Sequence, residues 1–148
     1  MSLRPEDLEK SLQELESHDM GEPGYASNLV VTCHRLHATP LKDFDPGDLR
    51  IMIGQDLGLK YLIPLAMDQL EINPWIEATF YEGDLLQYVL NRSDFWKDNP
   101  HLKTRVDQIV AKASEAYLAS DSSDADHYDQ GVLMDIANWS KPASEPGT

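Results

Sequence analysis

LRIMIGQDLGLKYLIPLAMDQL, Leu49 to Leu70, is the most apolar stretch of the chain, yet its interior carries two glycines, Gly54 and Gly58, and a proline, Pro64. A membrane-spanning helix needs about 20 nearly uncharged residues, whereas Arg50, Asp56, Lys60 and Asp68 recur through this stretch. It reads instead as two helices joined by a tight turn. Just upstream, DPGD (Asp45 to Asp48) is a helix start, with Asp45 as N-cap, Pro46 in the first turn and an acid at the third position. That helix carries Leu49, Met52 and Ile53 and is expected to end near Gly58, which tolerates the left-handed conformation that closes helices. Pro64 lacks an amide hydrogen and fits a first turn, which places the second helix start near Tyr61–Ile63. Leu59, Leu62, Ile63, Ala66, Met67 and Leu70 then follow the spacing of a helix buried on one side. Gly54, with no Cβ, is expected to let another helix approach closely. The glycines and proline are joints of a helical hairpin.

The same reading extends outward along the chain. PEDLEKSLQELES predicts a peripheral helix with Leu8, Leu12 and Leu15 as a narrow apolar stripe, broken by Gly21, Pro23 and Gly24. A second helix is expected from about Asn28 to His37, with Leu29, Val30, Cys33 and Leu36 on one face, although Val30 to Thr32 also suits a short strand. Asn73 to Asp84 reads as a loop with one or two extended residues. Asp84 then caps, or sits in the first turn of, a helix holding Leu85, Leu86, Val89 and Leu90. SDFWKDNP reads as a turn, with Asn99 as N-cap and Pro100 opening the next helix, whose face is Leu102, Val106, Ile109, Val110, Ala113 and Tyr117. Beyond Ser120 the composition turns polar, acidic and serine-rich, as in linkers and disordered tails. A short amphipathic helix over 132–139 would dock through Leu133, Ile136 and Trp139, and the last residues should fray. The expected fold class is all-α: a compact bundle of about five to seven short helices over residues 1–120, followed by an acidic, partly disordered tail over 121–148.

With 148 residues the chain can bury about 70% of its unfolded surface without disulfides or metal. Its net charge of −14 is the strongest global signal. Such a field repels nucleic acid and anionic membranes and favours encounter with cationic partners. The lone cysteine, Cys33, excludes an internal disulfide and reads as a small buried residue in a reducing compartment. The N-terminus shows no basic-then-apolar leader pattern, so a cytoplasmic location is expected.

Chemistry-bearing constellations are sparse. His34 and His37 share a helix face at a spacing that suits zinc, but there is no CxxC, no HExxH and no second cysteine to complete a ligand set. No Gly-x-Ser-x-Gly elbow and no phosphate-binding glycine loop is present. No catalytic residue, cofactor or metal is therefore expected. The densest basic run, Lys97 to Lys112, alternates with Asp98 and Asp107 and reads as a solvated helix face. The region Asp68 to Glu82 is more informative, because it gathers Asp68, Glu71, Trp75, Glu77, Tyr81 and Glu82 around a loop. Loops carry recognition more often than core elements do, and Trp and Tyr are enriched at interface anchors. These six are the candidate partner-binding residues. The alternative is that Trp75 and Phe80 fill the core while the acids only solubilise.

The run DLRIMIGQDLGLKYLIPLAMDQL, followed after a short gap by FYEGDLL, resembles the immunity proteins of bacterial contact-dependent growth inhibition systems. In that family a DLR-x-x-IGQ segment leads through a glycine to a YL-x-PLA helix and on to a Y-x-GDLL segment. Here those features are Asp48, Leu49 and Arg50; Ile53, Gly54 and Gln55; Gly58; Tyr61, Leu62, Pro64, Leu65 and Ala66; and Tyr81, Gly83, Asp84, Leu85 and Leu86. The likeness runs from about Thr32 to Leu90. It implies a cytoplasmic antitoxin, monomeric when free, that binds the C-terminal toxin domain of a cognate exoprotein one to one and blocks its active site or substrate path. Many such toxins are nucleases with basic surfaces, which an acidic inhibitor complements. A small acidic chaperone for a secreted effector is the alternative with the same size and charge.

Overall fold

A computed structural model describes residues 4–21, 27–120 and 128–140. Within them lie eight α-helices: α1 (Leu12–Leu15), α2 (Asn28–His37), α3 (Pro46–Gly54), α4 (Leu59–Ile72), α5 (Asp84–Leu90), α6 (Ser93–Asp98), α7 (Lys103–Leu118) and α8 (Gln130–Ser140). Short 3₁₀ turns precede α1, α3 and α7, and among the described residues extended pairing is limited to two isolated bridges, Ser11 with Pro40 and Glu77 with Glu82. The fold is all-α. Helices α3, α4 and α5 pack on one another, α7 and α8 close over α4 and α5, and α2 leans on α3.

The hairpin forms as its sequence dictates at one end and differently at the other. Asp45 caps α3 through a reciprocal box with Asp48, its carboxylate accepting the Asp48 amide hydrogen at 2.7 Å. Leu49, Met52 and Ile53 point into the core. α3 stops at Gly54, short of the expected Gly58, because Arg92 supplies the closure. Its Nη1 donates to the carbonyls of Ile53 (3.0 Å) and Gly54 (3.2 Å) and to Asp56 Oδ1 (2.8 Å), which satisfies the orphan end of the helix. Gly58 is left-handed (φ 62°), but it stands at the N-cap of α4. α4 therefore begins at Leu59, ahead of the expected Tyr61–Ile63, and Pro64 lies in its second turn. A proline inside a helix costs about 3 kcal/mol; here it is buried among Leu62, Ile63, Ala66, Met67 and Leu70, all fully buried. Burial of each such Leu or Ile is worth about 1.5–3 kcal/mol, enough to hold α4 around the missing hydrogen bond.

The close approach expected at Gly54 is made elsewhere. A Cβ on Gly54 would meet the Tyr88 ring at an ordinary 3.7 Å, whereas one on Gly58 would stand 2.6 Å from Leu12 Cδ1. Three further expectations change. The single helix predicted over residues 5–17 is a 3₁₀ turn (Pro5–Glu9) and the short α1, separated because Ser11 caps α1 through its own box with Glu14. The turn predicted over SDFWKDNP contains α6, whose Trp96 is buried and donates from Nε1 to the Val89 carbonyl at 2.9 Å. Asn99 stands at the expected N-cap position, with Pro100 opening the 3₁₀ turn that leads into α7, but its side chain makes no cap bond; its Nδ2 donates back to the Phe95 carbonyl.

α2 has the predicted bounds. Cys33, Leu36 and His37 are buried, while Leu29, Val30 and Val31 remain exposed. α7 buries Val106, Ile109, Val110 and Ala113 as its spacing requires. α8 is longer than the expected 132–139, and it docks through Val132 and Ile136 with Leu133 and Trp139 at the margin. The expectations for Pro23 and Gly24, for the linker at 121–127 and for the fraying end at 141–148 lie outside the described residues.

Candidate partner-binding site

The loop between α4 and α5 is held from both ends by its own sequence. Asp84, the first residue of α5 and fully buried, turns its carboxylate back on the loop and accepts amide hydrogens from Ala78 (2.7 Å), Thr79 (3.0 Å) and Phe80 (2.9 Å). It thus sits in the first turn, as one of the two readings required, but what it binds is the loop. Gly83 is left-handed (φ 89°), and a Cβ there would stand 2.8 Å from the Trp75 ring. Only glycine satisfies both conditions without strain.

The six candidate residues part company on this frame. Trp75 is 6% exposed; its Nε1 donates to the Ala113 carbonyl of α7 at 2.9 Å and its ring meets Tyr128 edge-on at 4.6 Å. It is a core residue. Asp68 and Glu71 lie on the outer face of α4, where Arg105 of α7 holds them: Nη2 is 2.9 Å from Asp68 Oδ1 and 2.6 Å from Glu71 Oε1, and Nε is 3.1 Å from Glu71 Oε2. The hydrogen bond from Arg105 keeps the Glu71 carboxyl below the usual glutamate range. Tyr81 is half-buried, and its hydroxyl donates to Gln87 Oε1. Burial raises the Tyr81 phenol, and the neighbouring Asp129, Asp84 and Asp135 add to that shift. Glu77 is exposed and pairs through its backbone with half-buried Glu82.

Of the two aromatics assigned together to the core in the alternative reading, Phe80 is outside. It is 65% exposed, and the Arg50 guanidinium lies 4.4 Å from its ring centroid, 5.3 Å from that of Tyr88. Arg50 Nε also donates to Thr79 Oγ1 at 3.0 Å. Sequence reasoning took Arg50 only as part of the DLR segment and Phe80 only as a core filler, and it passed over Thr79; the signal available was Arg50 itself, a cation in an otherwise acidic chain.

The histidines have structural partners. His34 Nδ1 donates to the Gly21 carbonyl at 2.9 Å, and His37 Nε2 lies 2.8 Å from Glu16 Oε1, so both tie α2 to the N-terminal segment. Among the described residues, no group of three or more His, Cys, Asp or Glu side chains is placed to hold a metal ion. Burial raises the Cys33 thiol, which leaves it a packing residue. No described helix is long and apolar enough to cross a membrane.

Fold and loop together define an acidic all-α scaffold presenting a braced loop to solvent. The family model of CDI immunity proteins matches residues 14–106, more than half of the chain, from α1 through the first turn of α7. The chain belongs to this family, the immunity proteins of contact-dependent growth inhibition. No curated protein and no solved structure matches it.

Proposed function

We propose that this protein is an antitoxin that binds the C-terminal toxin domain of its cognate exoprotein in the cytoplasm of the producing cell and blocks the toxin's active site or substrate path. The observation that carries the reading is the family match over residues 14–106. The net charge of −14 supports a toxin with a basic surface, and hence a nuclease, because complementary charge speeds encounter and excludes wrong partners. The inhibitor works by occupying space, with no turnover of its own, and one copy binds one toxin domain. Glu77, Tyr81 and Glu82, with Phe80 and Arg50 beside them, form one part of the contact surface.

The test is co-expression. The C-terminal domain of the exoprotein encoded beside this chain is produced in a sensitive host with and without it. Survival only with the chain, together with a co-purifying complex, supports the reading. Death in both cultures without a complex overturns that pairing and moves the chaperone reading to the front.

A further inference from the structure

Three faces compete as a toxin-binding surface. Around the α4–α5 loop several side chains are already committed: Trp75 is buried, Asp68 and Glu71 at the end of α4 are held by Arg105, and Tyr81 is held by Gln87, while Glu77 and Phe80 stay exposed. The cleft between α6 and α8, lined by Lys97, Lys103, Asp135 and Trp139, is polar, and its lysines oppose a basic partner. The third face is the seam where the end of α7 meets α8. It is an open, mainly apolar groove of about 490 Å³ that includes Tyr117, Leu118, Leu133, Met134 and Ile136. Leu118 is 78% and Met134 66% exposed, which is unusual for large apolar side chains standing together.

We infer that this groove is the anchor site for the toxin domain, accepting an apolar side chain that projects from a surface of lysines and arginines; the inference rests on the antitoxin reading above. Charge identifies the occupant. From Ala113 to Ser140 the sequence has no lysine or arginine, and Glu115 and Asp129 stand next in sequence to the groove residues Ser114 and Gln130, whereas Asp135 is held by Gln87 and Asn91 in the α6–α8 cleft. An apolar slot in so acidic a segment complements a cationic partner and penalises an anionic one. A second copy of this chain would bring the same acids against each other. The parts of the chain outside the described residues (MSL, EPGYA, DSSDADH and KPASEPGT) contain no run of apolar side chains to fill the groove. Methionine suits such a slot because its unbranched side chain adapts to the group it receives. The groove also joins the candidate loop: Tyr128 packs edge-on against both Tyr117, at 5.1 Å, and Trp75, at 4.6 Å. A toxin seated on α7 and α8 would thus have the braced loop beside it.

The test uses Leu118→Arg and Met134→Arg. Both side chains are exposed, so the melting temperature should stay near that of the wild type, and each new cation would face the basic rim of the partner. With the toxin domain of the neighbouring exoprotein as probe, calorimetry should show at least a tenfold weaker Kd for each variant, a larger loss for the pair, and loss of protection in the co-expression assay. Wild-type complex formation with both variants binding within twofold of it overturns the groove and leaves the antitoxin reading standing. Failure of the wild-type chain to bind overturns both. Self-association of the wild-type chain in light scattering, abolished by Met134→Arg, assigns the groove to a second copy and overturns the inference.

Discussion

Arg105 grips Glu71 with two nitrogens, Nη2 at 2.6 Å from one carboxylate oxygen and Nε at 3.1 Å from the other, and so ties α7 to the end of α4. The same guanidinium reaches Asp68 one turn earlier, offsetting part of the negative charge of the two acids on the helix face. Such bidentate pairs are the stronger kind of ion pair, but this one is solvent-exposed, so screening holds its worth to about 1 kcal/mol or less.

Its pH dependence follows from the depressed Glu71 carboxyl. A folded-state value below the unfolded one gives stability that is complete above the unfolded glutamate value of about 4.3 and lost as the pH falls through the folded value. Arg105→Ala should lower the melting temperature by about 2–4 °C at pH 7. The difference from wild type should shrink on acidification from about pH 5 to pH 3. Thermal melts across that range, with and without high salt, measure it.

Two glycines in one hairpin should respond in opposite ways. Gly58→Ala places a side chain in a left-handed backbone and 2.6 Å from Leu12. The backbone alone costs about 1–2 kcal/mol, and displacing Leu12 adds to it, so a loss of about 2–3 kcal/mol is expected. Gly54→Ala meets nothing closer than 3.7 Å and replaces a poor helix former, so it should be neutral or stabilising by up to about 1 kcal/mol. Denaturant titration of the two variants side by side decides the matter.

Removing the Asp84 carboxylate leaves three loop amides without an acceptor. Asp84→Ala should cost about 3 kcal/mol or more, while Asp84→Asn, which keeps one carbonyl oxygen, should cost less. Amide exchange at Ala78, Thr79 and Phe80 should accelerate in both variants ahead of global unfolding.

If the acidic surface steers encounter with a basic toxin, the association rate should fall several-fold from low to high salt while dissociation changes little. Exposed charges are screened beyond about 8–10 Å at ordinary ionic strength. Stopped-flow association over a salt series reads this directly; a flat series would remove charge as the steering element.

Much of the architecture could be read before any coordinates. The bounds of α2, the Asp45 cap and the buried face of α7 came from local signals, namely capping residues and 3.6-residue periodicity. The misplaced boundaries had non-local causes. α3 ends early because Arg92, far along the chain, closes it, and Pro64 is tolerated in the second turn because the surrounding core holds α4 in place. The candidate site was harder still. Trp75 and Phe80 lie five residues apart in a loop with no period, and their opposite fates depend on Ala113 and Arg50, which the sequence does not place beside them. The α7–α8 groove was invisible for the same reason, since Leu118 and Met134 meet only after two helices have docked.

The indole of Trp75 bonds to the Ala113 carbonyl, and that bond crosses the edge of the family match at residue 106. Gly83, within the match, likewise sits beneath Val132 of α8. The shared part of the protein and the part that follows it are therefore not interchangeable modules. A chimera spliced near residue 106, keeping α1 to α6 and taking its last two helices from another member, would inherit an indole cut to fit a different lid. Substitutions that leave this packing intact are thereby confined to the outer faces of α7 and α8, since the inward faces are filled by the Trp75 indole and the backbone at Gly83.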